Sequence, residues 1–451
     1  MTDDNEQLHK EINQLTKNHM AIPWAKLTQN SNAEVVTQAS LMMKAAIVGR
    51  VGIMMLSCGT GAWRVRESMN TVARVLKIVC TADIGLVSIS YSCFDKNDSV
   101  AETLTLATSG VNTDKLSAIE HFVRYFAQKG ATLTVHQVHE RMDKINQKSP
   151  NYTPFLLGLA AAFACSSFVF LLGGGLVEMF CSFVGAGIGN YVRAKLNQRH
   201  LTLFAGLAVA VALSCLIYLS LARGLELLFQ IRGIHEAGYI GAMLFVIPGF
   251  PFITSGLDLA KLDMRSGIER FIHAFSIVMV ATLIGWLLAL ASDLHPSNFA
   301  PLHLSVWTLL LLRIPASFAG VYGFSMLFNS APKMAMIAAL IGAVANTLRL
   351  ELVDLTTWPS AVAALIGALT AGLLAAAFHE KLGYPRISLT VPAIVIMVPG
   401  LYMYRAMYYI GVGSLSIGAQ CLVNALLILA CLPLGLILAR ILLDKKWRYT
   451  N

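Results

Sequence analysis

Two stretches of this chain place helix-breaking residues and polar groups inside otherwise apolar sequence. Residues 245–270 read FVIPGFPFITSGLDLAKLDMRSGIER, and residues 391–407 read VPAIVIMVPGLYMYRAM. Proline removes a backbone donor and glycine weakens a helix, so carbonyls one turn earlier lose their usual partners. In hydrocarbon such a break persists only where protein buries it or where it lines a polar cavity. The exposed N–H groups of a half-helix suit a carboxylate, and freed carbonyls suit an ammonium. Pro248 and Gly249 in the first stretch, and Pro399 and Gly400 in the second, are therefore candidate substrate-binding residues. Thr254, Ser255 and Tyr402 are candidate polar contacts beside them, with Tyr404 and Arg405 close by. Two independent proline kinks without a ligand are the alternative.

Proton coupling needs a titratable group that two openings reach in turn. Asp258, just after the first break, is the leading candidate, because desolvation there disfavours its charged form. Glu178 in GGLVEMF is the second. A plain ion pair of Asp258 with Lys261 or Arg270 is the competing reading. Arg313, inside an apolar stretch, is either a functional residue or an anchor near the end of a tilted helix. Asn190 with Arg193, and Asn346 with Arg349, are expected as caps and anchors at helix exits. Tyr402, Tyr404, Tyr408 and Tyr409 read first as an aromatic belt. Glycines 173–175 and 185, 187 and 189 read as close helix-packing surfaces. His136, His139 and Glu140 match neither HExxH nor HxxEH, so no metal is expected. No phosphate-cradling glycine loop with Lys-Ser/Thr is present, which argues against ATP drive, and no cofactor is expected.

The elements that must hold these residues follow from composition. Of 451 residues, 56% are hydrophobic and only 13% charged, as in a polytopic membrane protein. Apolar stretches of spanning length fall near 154–174, 177–194, 202–222, 237–257 and 269–291, then 302–328, 333–348, 360–378, 387–406 and 413–439. The expected fold is thus an α-helical polytopic membrane protein with about ten transmembrane helices. They form a first membrane half over 153–291 and a second, with a basic tail, over 302–451, joined by a loop over 292–301. Eight cysteines without a CxxC pair read as buried hydrophobes, not as a disulfide framework.

The first third differs. Residues 1–153 hold 16 Lys/Arg and 14 Asp/Glu, a near balance typical of a soluble domain. Residues 1–33 read as a polar arm with no signal peptide, and 34–152 as a small cytoplasmic α+β domain. Helices are expected over 33–58, 62–78, 115–128 and 134–147. A strand over 82–93 pairs with one over 103–108 across a turn at Asp95–Asp98.

The two membrane halves match internally. The first has GAGIGNYVR ending at Arg193 and a break at Pro248; the second has GAVANTLR ending at Arg349 and a break at Pro399. Five helices per repeat make the second copy enter from the opposite side, giving an inverted repeat. With residues 1–153 in the cytoplasm, the inner loops and tail carry thirteen Lys/Arg and the outer loops four. This bias puts both termini in the cytoplasm. The net charge of +9 is therefore topological, not a nucleic-acid footprint.

The motifs GRVGIMMLSCGTGAWRVRESM, IPGFPFITSGLDL with SGIER, and GFSMLF, GAVANTLR and VPG, in that order, resemble the threonine/serine exporter family over nearly the whole chain. The resemblance implies a secondary exporter of small hydroxy amino acids, or of a similar small carboxylate, driven by the proton gradient across the inner (plasma) membrane. Its implied partners are a small-molecule substrate, protons and the lipid bilayer, and a homo-oligomer stays open. It carries over to Pro248, Gly249, Asp258, Gly267, Arg270, Pro399 and Gly400. Export of a dicarboxylate such as succinate is the second reading. A membrane-embedded hydrolase would need a nucleophile and base together, and no GxSxG, paired Asp or His-rich cluster appears. A receptor would need an output module, and none is recognisable.

Overall fold

A computed structural model describes residues 22, 24, 34–229, 238–296, 299 and 302–448, so the expected arm over 1–33 falls almost wholly outside it. The chain divides into two compact units, Met1–Ser149 and Pro150–Asn451.

The first unit opens with α1 (Leu41–Ser57) and α2 (Ala62–Val75). An antiparallel sheet follows, β1 (Val79–Ile84), β2 (Ser88–Phe94) and β3 (Ser99–Thr105), and then α3 (Thr113–Lys129) and α4 (Val135–Asn146). Capping fixes the later helices: Asn112 accepts from the Lys115 N–H, and Thr134 and Gln137 form a reciprocal capping box. The single strand expected over 82–93 is two strands. The chain reverses at Gly85, whose N–H donates to the Ser88 carbonyl at 2.8 Å. Hydrophobic alternation across this tight turn hid it; Gly85 was the available signal. The Asp95 carboxylate accepts from the N–H groups of Asn97 and Asp98 at 2.9 and 2.8 Å, fixing the second turn where expected.

Ile89, Tyr91 and Cys93 alternate into the core beneath α1. A buried cation crosses that core: Arg50 donates to His139 Nδ1 at 2.8 Å, pairs with Asp143 and lies 5.4 Å from the Trp24 ring centroid. His139 serves as the acceptor for Arg50.

The second unit comprises α5 (Pro154–Leu171), α6 (Leu176–Gln198), α7 (Leu203–Phe229), α8 (Gly238–Ala242), α9 (Gly249–Ala260) and α10 (Met264–Ala291). It continues with α11 (Val306–Leu327), α12 (Pro332–Leu355), α13 (Ser360–Leu382), α14 (Arg386–Val395), α15 (Gly400–Gly411) and α16 (Leu415–Leu443). Among the described residues, seven of these helices are long and apolar enough to cross a membrane; the bent pairs α8–α9 and α14–α15 raise the number to nine. The charged α6, with Glu178, Arg193 and Lys195, is not among them.

Small residues let α5 pack closely against α11 and α6. A Cβ on Gly323 of α11 would stand 3.0 Å from Ala164 of α5, and one on Gly187 of α6 would stand 3.2 Å from Ala162. Glycines 173–175, in contrast, do not pack helices. They form the α5–α6 turn, with Gly173 at φ 99°. The two Asn-x-x-Arg motifs also lie inside helices instead of at their exits, because α6 and α12 run on to Gln198 and Leu355. Asn190 Nδ2 donates to the Leu157 carbonyl at 2.8 Å and Asn346 Nδ2 to Ser317 Oγ at 2.9 Å. Asn190 thus ties α6 to α5, and Asn346 ties α12 to α11.

Burial and the neighbouring Arg50 push His139 down to about 4. Its neutral form is the one that accepts from Arg50. The depressed value means that this contribution to stability is present above pH 6.5 and is lost as pH falls toward 4. Amide exchange in α1 and α4, corrected for intrinsic rates, should accelerate over that window. His139→Gln, which keeps an acceptor without the titration, should flatten the pH dependence.

Candidate functional site

Both expected breaks are present and are built alike. The axes bend by 59° between the segments flanking Pro248 and by 49° between those flanking Pro399. Pro248 has φ −82° and ψ 61°, and Pro399 has φ −81° and ψ 53°. Each lies at the centre of an inverse γ-turn: Gly249 N–H donates to the Ile247 carbonyl, and Gly400 N–H to the Val398 carbonyl, both at 2.8 Å. Before each break the helix tightens to i→i+3 bonds, Ile247 to Leu244 at 3.1 Å and Val398 to Val395 at 3.0 Å. The turn after each restarts on the proline carbonyl, which accepts from Phe252 at 3.2 Å or Met403 at 3.0 Å.

The two breaks pack on each other reciprocally. A Cβ on Gly249 would stand 3.1 Å from Val395 and Val398, which precede the second break. A Cβ on Gly400 would collide with Ile247 and stand 2.8 Å from Leu244, which precede the first. The space among Leu244, Ile247, Val395, Val398, Phe168 and Phe324 is only about 10 Å³ and apolar. That is room for a single water at most. In this conformation the two breaks are closed on each other.

The other sequence candidates distribute to either side of it. Thr254 and Ser255 are buried on α9; their hydroxyls donate to the Phe250 carbonyl at 3.0 Å and the Gly267 carbonyl at 2.7 Å. One turn on, Asp258 is completely buried and lies 3.3 Å from Arg270 Nε of α10, which is itself 2% exposed. Ser266 joins the pair: its hydroxyl donates to Asp258 Oδ2 at 2.9 Å and accepts from Arg270 Nε at 3.0 Å. The plain ion-pair reading of Asp258 therefore holds for Arg270. Ser266 was missed, although its i,i+4 spacing to Arg270 was a readable signal.

Beyond the second break the chemistry is cationic and aromatic. A cavity of about 410 Å³ is lined by Leu401 and Arg405 of α15, Arg313 of α11, and Gly173 and His303 among others. Arg313 is no helix-end anchor. It is buried, donates to Glu351 of α12 at 2.7 Å and also pairs with Asp354. Tyr404 and Tyr408 are buried as well, so they are not part of a lipid-facing belt. The hydroxyls of Tyr404 and Tyr239 meet at 2.6 Å, joining α15 to α8. Nothing local in the sequence marks a contact between residues so far apart. Tyr402 is half-buried on α15, and Glu178 is buried in the first turn of α6, where the helix dipole favours a carboxylate.

Comparison with known proteins identifies a family over most of the chain. Residues 46–292 match the ThrE family model and residues 313–442 the ThrE_2 model, described as a threonine/serine exporter. A Mycobacterium tuberculosis protein named "probable threonine/serine exporter" is 23% identical over 384 residues, 81% of this chain and 69% of that protein. An Escherichia coli protein named "probable succinate transporter subunit YjjP" is 26% identical over 184 residues, 40% of this chain and 67% of that protein. A pheromone-regulated membrane protein of Debaryomyces hansenii is 22% identical, over 60% of this chain and 28% of its own length. No solved structure matches.

Removing one partner of a buried ion pair strands the other charge, at a cost of about 3–5 kcal/mol. Asp258→Ala should lose stability on that scale in denaturation of the purified protein, whereas the double variant Asp258→Leu/Arg270→Met should lose less. Between the breaks, Gly400→Val should cost about 1–3 kcal/mol by overpacking. Ile247→Ala, which removes the colliding methyl groups, should restore part of that loss in the same assay.

Proposed function

The chain belongs to the threonine/serine exporter family, and from that membership we propose a secondary active exporter of threonine and serine, coupled to protons. The observation that carries this reading is the reciprocal contact of two identically built helix breaks. Discontinuous helices from two related halves are how many transporters build one central site with two alternative openings. In this reading ten spans form two inverted five-helix halves in the inner (plasma) membrane, with both termini cytoplasmic. Substrate occupies the space that opens when the breaks part, against Pro248, Gly249, Thr254 and Ser255 on one side and Pro399, Gly400 and Tyr402 on the other. Protonating Asp258 cancels the charge that holds Arg270 and loosens the α9–α10 contact, which couples proton uptake to movement of the first break. Glu178 is the second candidate for this role. Relatives named as transporters support transport over catalysis. The similarity to a succinate transporter subunit supports a dicarboxylate as the second reading.

Inside-out vesicles containing the protein, with an acidic lumen, should accumulate labelled threonine and serine. Asp258→Asn should abolish the gradient dependence but keep substrate counterflow. Accumulation of succinate alone would favour the second reading, and no accumulation of any of the three would overturn transport of these substrates.

A further inference from the structure

Two thiols of the first unit face each other, outside the residues proposed to bind substrate. Cys80 on β1 and Cys93 on β2 are directly opposed in antiparallel register. Opposed residues on such strands have Cα atoms about 4.5–5.5 Å apart. Disulfides span about 4.4–6.8 Å between Cα atoms. The register sets the two thiols side by side as hydrogen-bond partners, and the Cys80 thiol also donates to the Thr81 carbonyl at 3.8 Å.

Their surroundings divide the labour. Cys93 is fully buried in the core, whereas Cys80 is half-buried and reachable from solvent. The hydrogen bond from Cys93 holds the Cys80 thiol below the ordinary range, and the same partner, together with burial, raises Cys93. Cys58 of the same unit shows the contrast: it is buried without a thiol partner and pushed up to about 12. A nucleophilic, accessible thiol beside a buried second thiol is the arrangement of an attacking and a resolving cysteine.

We propose that Cys80 and Cys93 are an oxidisable dithiol, a modification site whose reagent is a small disulfide of the oxidised-glutathione class. The Cys80 thiolate attacks one sulfur of the reagent, the reagent's S–S bond breaks, and one thiolate leaves. Cys93 then attacks the Cys80 sulfur of the mixed disulfide, and the second thiolate leaves, carrying the Cys93 proton. The pair gives up two electrons and the reagent becomes two thiols. The new bond lies within a hairpin already closed at Gly85–Ser88, so the sheet keeps its register and gains a covalent link along β1, a strand at the sheet's edge.

The test uses the full-length protein in detergent, treated with oxidised glutathione, alkylated, digested and read by mass spectrometry. Wild type should lose two alkylatable thiols together and yield one Cys80–Cys93 linked peptide, two hydrogens lighter. Cys93→Ala should stop at a stable glutathione adduct on Cys80, and Cys80→Ser should leave Cys93 unmodified. Persistence of the Cys80 adduct in wild type, or reaction confined to Cys421 and Cys431, would overturn the proposal. None of these readouts depends on transport.

Discussion

A proline within a spanning helix leaves backbone groups that hydrocarbon cannot satisfy, and the second unit is arranged around where those groups go. At Pro248 and Pro399 the response is the same: a tightened turn before the proline, a γ-turn across it and a new helix starting on its carbonyl. Such a conformation survives only inside protein. Here each break supplies part of the protein surface that covers the other, through Gly249 on Val395 and Val398 and Gly400 on Leu244 and Ile247. A Cβ at Gly400 would displace the ends of Ile247 and Leu244, and one at Gly249 would crowd Val395 and Val398. The smallness of those two residues therefore favours the close contact of the breaks.

Charge is handled by the same logic. Unpaired ions cannot stay in an apolar interior, so the buried cations carry acids with them: Arg270 with Asp258, and Arg313 with Glu351 and Asp354. These pairs add little net stability over apolar packing, yet they are costly to break from one side only. Neutralising one partner alone would therefore destabilise the contact. Ser266, bonded to both Asp258 and Arg270, fixes the geometry of their contact.

The breaks, the ion-pair partner of Asp258 and most helix positions were legible in the sequence, because proline, glycine and long apolar runs act locally. What was not legible depends on distant partners. Tyr404 read as an interfacial aromatic because its hydroxyl partner, Tyr239, lies in another helix. Arg313 read as either a functional residue or an anchor, because its partners Glu351 and Asp354 lie on another helix. The Asn-x-x-Arg motifs were put at helix exits because hydropathy falls there, although the helices continue past the apolar run. In the first unit, Gly85 turned an apparent single strand into a hairpin. That turn brings Cys80 opposite Cys93, a pairing no spacing rule would reveal.

The central claim is that the two breaks form one seal with access alternating across it. The most direct test is labelling by a membrane-impermeant thiol reagent, in a background where the eight native cysteines are replaced. Thr254→Cys, buried here, reports the space that opens beside the first break when the breaks part, and Leu401→Cys reports the cavity beyond the second. The account predicts labelling of the former from the cytoplasmic side and the latter from the opposite side. Substrate and gradient should then move the two rates in opposite directions. Labelling of both positions from one side, or rates that rise and fall together, would contradict it.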